Sequence, residues 1–159
     1  MKIILYISLF LLSIQLQAQS YQKEWEKIYD LEKKGSYQTM CEEINALHKK
    51  ASKKNNEVEK AKAFLFQMKL ENVLNETSYQ MKIERLQKEI SSSKGVIQSV
   101  YRWYYVKTLL AAYDSKQSYW RRNQLVETIT TSLPKEIDLW SQNQFKEEIV
   151  KQARLLFQN

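Results

Sequence analysis

The sequence predicts an all-α fold of antiparallel helical hairpins, and three observations carry that expectation. Two glycines and one proline stand among 159 residues, so the chain has few places to turn tightly. Apolar residues recur at steps of three and four, the period of one helix face, and the alternation that marks a strand is absent. Short polar stretches rich in capping residues divide these runs into about six or seven helices.

Trp25, Ile28 and Tyr29 mark a first short helix that stops at Gly35, a residue able to take the left-handed conformation of a helix C-cap. Tyr37, Met40, Cys41, Ile44, Leu47, His48 and Ala51 fall on one face of a second helix, which closes a hairpin on the first. Lys53-Lys54-Asn55-Asn56 is the polar connection to a third helix, Glu57 to Leu74. Its apolar residues (Val58, Ala61, Phe64, Leu65, Phe66, Met68, Leu70, Val73, Leu74) cover more than one face, as expected of a helix flanked by neighbours. Asn75-Glu76-Thr77-Ser78 breaks it and can cap a fourth helix carrying Tyr79, Ile83, Leu86 and Ile90. That helix fades in Ser91-Ser92-Ser93-Lys94-Gly95.

Val96 to Tyr113 is then the most apolar and aromatic helix, with Trp103, Val106, Leu110 and Tyr113 as its expected core stripe. A weaker segment from Ser118 to Thr131 leads to Leu133-Pro134. Ser141 and Gln144 fit a capping box at the start of the last helix, which carries Phe145, Ile149, Ala153 and Leu156. Hairpins of roughly 35–45 residues have the period of tetratricopeptide (TPR) solenoids. The expected architecture is therefore a TPR-like bundle or short solenoid, one domain over 19–159, although the small signature residues of that repeat do not recur in register.

The N-terminus sets the expected compartment. Lys2 gives a positive start, Ile3 to Leu16 is a largely apolar run, and Leu16-Gln17-Ala18 ends it with a small residue suited to signal-peptidase cleavage. A membrane span needs about 20 apolar residues; this run is shorter and is interrupted by Ser8, Ser13 and Gln15. Residues 1–18 therefore read as a signal peptide, and the chain as exported, periplasmic or secreted. Gln19-Ser20, where a lipoprotein would have cysteine, leaves no membrane anchor after the cut. Cleavage removes one lysine and lowers the formal charge from +7 to +6. The remaining lysines alternate with glutamates, as in Glu24, Glu26, Lys27 and Glu57, Glu59, Lys60, which is the pattern of solvated helix faces. With export, this argues against a nucleic-acid partner.

No arrangement of catalytic or metal-binding groups emerges. Cys41 is the one cysteine, so no intrachain disulfide can form, and its place on the apolar stripe reads as a small buried hydrophobe. His48, the one histidine, shares that stripe and reads as a partly buried core residue. One histidine and one cysteine are too few for zinc, Glu42 and Glu43 point in different directions on a helix, and no glycine-rich phosphate loop is present. The sequence implies no cofactor and no enzyme. Aromatic residues interleaved with arginine are the best binding candidates, because protein interfaces favour both. They are Tyr101, Arg102, Tyr105, Tyr119, Trp120, Arg121 and Arg122, with Tyr119 to Arg122 the stretch expected at the surface and core packing the competing role for the rest.

Ala18-Gln19-Ser20-Tyr21, Trp25-Glu26-Lys27, Leu31-Glu32-Lys33-Lys34-Gly35 and the later Glu136-Ile137-Asp138-Leu139-Trp140 resemble the N-terminal helical region of bacterial α2-macroglobulin-like proteins of the Bacteroidetes type. In that family a helical region precedes β-sandwich domains that act on proteases through a bait segment and often a thioester. The chain departs from the family in having no β-sandwich, no bait region and no Cys-x-x-Gln-type thioester sequence. Cys41 is followed by Glu42-Glu43-Ile44, so no trapping residue carries over. The resemblance implies a non-catalytic scaffold whose partners are proteins or the remaining domains of a larger chain. Arg154-Leu155-Leu156-Phe157-Gln158-Asn159 ends without a glycine stop or polar tail, and reads as the end of a module cut from such a chain. The alternative is a stand-alone periplasmic helical-repeat protein that binds a peptide, protein or glycan through its aromatic and arginine surface.

Overall fold

The computed structural model describes residues 21–74, 78–123 and 133–158, with the side chains of Arg122 and Asn123 outside the description. The expected signal peptide and the stretch 124–131 of the weak segment also lie outside the described residues. Six α-helices and one 3-10 turn make up the described chain, and no strand occurs among these residues. The all-α expectation holds. Contacts divide the chain after Leu74 into two compact units.

Unit 1 contains α1 (21–33), α2 (Tyr37–Lys53) and α3 (Glu57–Leu74). Its turns follow from local chemistry. Gly35 adopts φ +67°, which lets the Ser36 N–H donate to the Leu31 carbonyl and the Gly35 N–H to the Glu32 carbonyl. This pair of bonds is a Schellman C-cap. The same pair recurs at the end of α2, where Asn55 takes φ +51° and Asn55 and Asn56 donate to Ser52 and Ala51. Asparagine tolerates the left-handed region better than most residues. Asn56 then accepts from the Glu59 N–H and caps α3, so the three connecting residues Lys54, Asn55 and Asn56 end one helix and start the next.

The expected stripe of α2 does face inward. Met40, Ile44, Leu47 and Ala51 are buried, while Tyr37, Cys41 and His48 are half-buried at its margin. The four buried residues pack with Tyr21, Trp25 and Ile28 of α1 and Ala63 and Leu70 of α3, and Tyr37 and Cys41 pack against this core. Lys27 pairs with Glu43 at 2.7 Å and Lys50 with Glu24, which sets α1 antiparallel to α2. Burial raises the Glu24 carboxyl pKa, but the Lys50 ammonium, helped by Lys54, outweighs it and holds the group below its ordinary value. On the other side of α1, the Trp25 indole N–H donates to Glu59 at 2.6 Å, Phe66 packs 5.0 Å from the Trp25 ring, and the Lys62 ammonium lies 3.9 Å above it.

Unit 2 contains α4 (Tyr79–Ser92), α5 (Gly95–Asn123), the 3-10 turn Ile137–Leu139 and α6 (Gln142–Leu156). Ser78 caps α4, accepting from the Met81 N–H. Ser141 and Gln144 form the expected capping box in both directions. One expectation needs correction: Val96–Tyr113 and Ser118 onward are parts of a single helix of 29 residues. The polar run Asp114-Ser115-Lys116-Gln117 contains no helix breaker. Lys116 in that run reaches the carbonyl of Asp138 at 2.7 Å and its carboxylate at 3.1 Å, fastening the 3-10 turn to α5. The Gln80 side chain ties the same turn to α4, accepting from the Ile137 N–H and donating to the Lys135 carbonyl.

The expected core stripe of α5 also needs correction. The buried residues are Tyr101, Tyr105, Thr108, Leu109, Ala112 and Trp120; Trp103 and Leu110 are exposed, and Val106 and Tyr113 half-buried. Apolar residues surround α5, so the pattern alone supplies no unique phase, and the packing of α4 and α6 chooses which line is covered. On α6 the buried line is Gln144, Phe145 and Glu148, with Ile149, Ala153 and Leu156 half-buried beside it. Among the described residues no helix is long and apolar enough to cross a membrane.

Candidate functional site

The aromatic helix α5 divides its residues between an inner and an outer face. On the inner face, Tyr101 and Tyr105 are 0% and 1% exposed, which places two of the expected binding residues inside unit 2. Trp120, 8% exposed, belongs to an aromatic cluster with Tyr113, Trp140 and Phe145, whose ring centroids lie 5.1–6.0 Å apart in tilted and edge-on pairs. Such geometry suits the ring quadrupoles. The Trp140 indole N–H donates to the Pro134 carbonyl at 2.7 Å, so the cluster also anchors the segment entering α6.

A polar layer runs beside these rings. The Tyr105 hydroxyl accepts from Gln87 of α4 at 3.0 Å. Arg102 donates to the Gln152 side-chain oxygen, Gln152 donates to Glu148 at 2.7 Å, and Lys151 pairs with Glu148 at 3.1 Å. Burial first, and the Glu148 carboxylate second, push the Tyr105 phenol up to about 12, against a smaller opposing effect of the Gln87 hydrogen bond. A raised folded-state value means the neutral phenol stabilises the fold fully below pH ~10, and this stability is lost as pH climbs to ~12. The loss approaches about 3 kcal/mol. Tyr105→Phe should therefore lose about 1 kcal/mol at neutral pH with the Gln87 bond and resist alkaline unfolding better. Phenolate absorbance measured against pH should lose its latest component in the variant; an unchanged late component would assign that titration elsewhere.

Of the remaining sequence candidates, Arg102 is half-buried against α6, Tyr119 is 53% exposed, and Arg121 is exposed. The Arg122 side chain lies outside the description. The seven candidates therefore do not form one surface. Tyr119 and Arg121 are the ones open to a partner, and they stand on different sides of the helix, two residues or about 200° apart.

The outer face of α5 holds residues the sequence reading placed elsewhere or did not single out. Val96 is 79% exposed, Trp103 50% and Leu110 45%, each seven residues from the next and so nearly in line along the helix. The Lys107 ammonium lies 4.7 Å from the Trp103 ring and 6.0 Å from that of Tyr104. This cation–π contact holds the indole at the surface in a defined position. The seven-residue spacing was visible in the sequence, but a spacing does not say whether its face is covered. Elsewhere, Cys41 is a free, half-buried thiol, and no cluster of three or more potential metal ligands occurs among the described residues. No family model, curated protein or solved structure matches the chain.

Proposed function

We propose that this chain is a non-catalytic, exported helical scaffold that engages other protein surface through α5. The observation that carries the reading is the line of exposed Val96, Trp103 and Leu110 on the side of α5 opposite its buried residues Tyr101, Tyr105 and Ala112. Large apolar side chains grouped on a surface mark contact sites more often than isolated ones do. Export is supported by the charged start, apolar run and small residue at Lys2, Ile3–Leu16 and Ala18. Scaffold character is supported by the resemblance of the helical segments to the N-terminal region of α2-macroglobulin-like proteins, in which the catalytic and trapping chemistry lies elsewhere.

A second reading takes the chain as a stand-alone periplasmic helical-repeat protein that binds a peptide, protein or glycan. The exposure of Tyr119 and Arg121 favours it, since aromatic and arginine side chains are enriched where partners bind.

Two measurements test these readings. The exported protein, purified from cells expressing the whole chain, should begin at Gln19 by intact mass; a chain that keeps Met1 in the cytoplasm would remove export from the proposal. Under the second reading, Tyr119→Ala combined with Arg121→Ala should abolish capture of a cross-linked partner while the helical circular dichroism stays unchanged. Undiminished capture would exclude both residues as contacts.

A further inference from the structure

The outer face of α5 carries five apolar residues, Val96, Val100, Trp103, Val106 and Leu110, whose spacing is the same read in either direction from Trp103. At about 100° per residue all five fall within about 60° of the Trp103 direction. Tyr101, Tyr105 and Ala112 are buried on the opposite side of the helix, so α5 meets its neighbours in unit 2 with its other faces. A stripe symmetric about its own centre is matched by a second copy of itself running the other way.

We propose that α5 forms a homodimer interface in which two copies pack antiparallel about a two-fold axis at Trp103. Residues equally far from Trp103 on either side then lie level: Val96 meets Leu110 of the second copy, Val100 meets Val106, and the two indoles meet at the axis. Such an interface is isologous, each copy offering the same patch, which is the commonest way for identical chains to associate.

Charge decides the direction. A parallel pairing sets Lys107 beside Lys107 of the second copy and aligns the two helix dipoles, both unfavourable. The antiparallel pairing puts Lys107 level with the neutral Ser99 of the second copy. The two ammonium groups are then eight residues apart along the axis, about 12 Å, which exceeds the Debye length at physiological salt.

Area sets the strength. The exposed parts of Val96, Trp103 and Leu110, with Val100, Val106 and the Lys107 stem, amount to on the order of 500 Å² from each copy. A total near 1,000 Å² stands at the low end for a specific contact and fits a weak dimer with micromolar dissociation. The inference rests on the interaction-module reading only in taking the exposed face of α5 for a contact surface.

Sedimentation of the mature chain from low micromolar to millimolar concentration tests it. The average mass should climb from one copy toward two. Trp103→Glu and Leu110→Asp should each hold it at one copy, with the circular dichroism spectrum unchanged because both positions are exposed. Ser99→Glu, facing Lys107 of the second copy twice in the dimer, should tighten association about two- to ten-fold, and Ser99→Lys should weaken it by a similar factor. A mass that stays at one copy throughout overturns the dimer, and a dimer indifferent to both Trp103→Glu and Leu110→Asp overturns the interface. Two Ser99 variants shifting association in the same direction overturn the antiparallel register. A monomeric chain that still captures another protein, and loses it in Trp103→Glu, overturns the dimer while leaving α5 as a contact surface.

Discussion

Phe145→Ala should destabilise unit 2 by about 3–5 kcal/mol, the range for removing a fully buried aromatic ring that the surroundings cannot collapse around. Phe145 is fully buried, with Tyr113, Trp120 and Trp140 packed around its ring at 5.1–6.0 Å. Three large rigid rings relax poorly into the space left behind, so the cost belongs toward the upper end of that range. A small helical unit has only about 5–15 kcal/mol of stability to lose, so the variant should show weakened hydrogen-exchange protection throughout α6 and the adjoining end of α5. Phe157→Ala is the control. The same residue type at 89% exposure should change stability by less than about 0.5 kcal/mol. Equal effects of the two substitutions in urea denaturation would contradict the packing described for α6.

Trp25→Ala should produce a loss of similar size in unit 1, about 3–5 kcal/mol, and for more reasons than burial. Trp25 is 4% exposed, its indole N–H is bonded to Glu59, its ring meets Phe66, and the Lys62 ammonium caps its outer side. Truncation removes these three contacts from α1 to α3 and leaves the Glu59 carboxylate with one partner fewer. Trp25→Phe separates the contributions. It keeps most of the apolar area and the stacking but not the N–H donor, so it should cost about 1–3 kcal/mol. Should Trp25→Phe prove as damaging as Trp25→Ala, the hydrogen bond would outweigh the ring. Should it be neutral, the Glu59 bond would contribute nothing. Guanidinium denaturation followed by hydrogen exchange in α1 and α3 distinguishes these outcomes.

The helix ends were legible because capping is chemistry between near neighbours. Gly35, Asn56, Ser78 and the Ser141–Gln144 pair each act within about five residues of chain, and each sits where the sequence puts it. The inward face of α2 was legible for a related reason: its apolar residues form one stripe with charged residues on the opposite side, so only one orientation buries them.

The central helix was not legible in the same way. Tyr101, Trp103, Tyr104, Tyr105, Val106, Leu109 and Leu110 leave no polar side from which to infer a core side. Choosing Trp103 and Leu110 as core was as consistent with the spacing as choosing Tyr105 and Leu109. What separated them was the arrival of Gln87 from α4 and Gln152 from α6, partners distant in sequence, together with the aromatic cluster around Phe145. The candidate surface changed with that choice. Tyr101, Tyr105 and Trp120 became interior, and Val96, Trp103 and Leu110 became the exposed line.

By itself, then, the sequence determined the helical class, the helix ends that a local capping residue marks, and the face of any helix whose polarity is one-sided. All of these depend on bonds and periods within a few residues. Only the tertiary structure decided that α5 runs unbroken to Asn123, which of its faces is covered, and that buried Tyr105 and Glu148 are joined to a polar layer by exposed Gln87 of α4 and half-buried Gln152 of α6. Burial is a property of pairs of elements, and a helix apolar on every side learns its orientation from what packs against it.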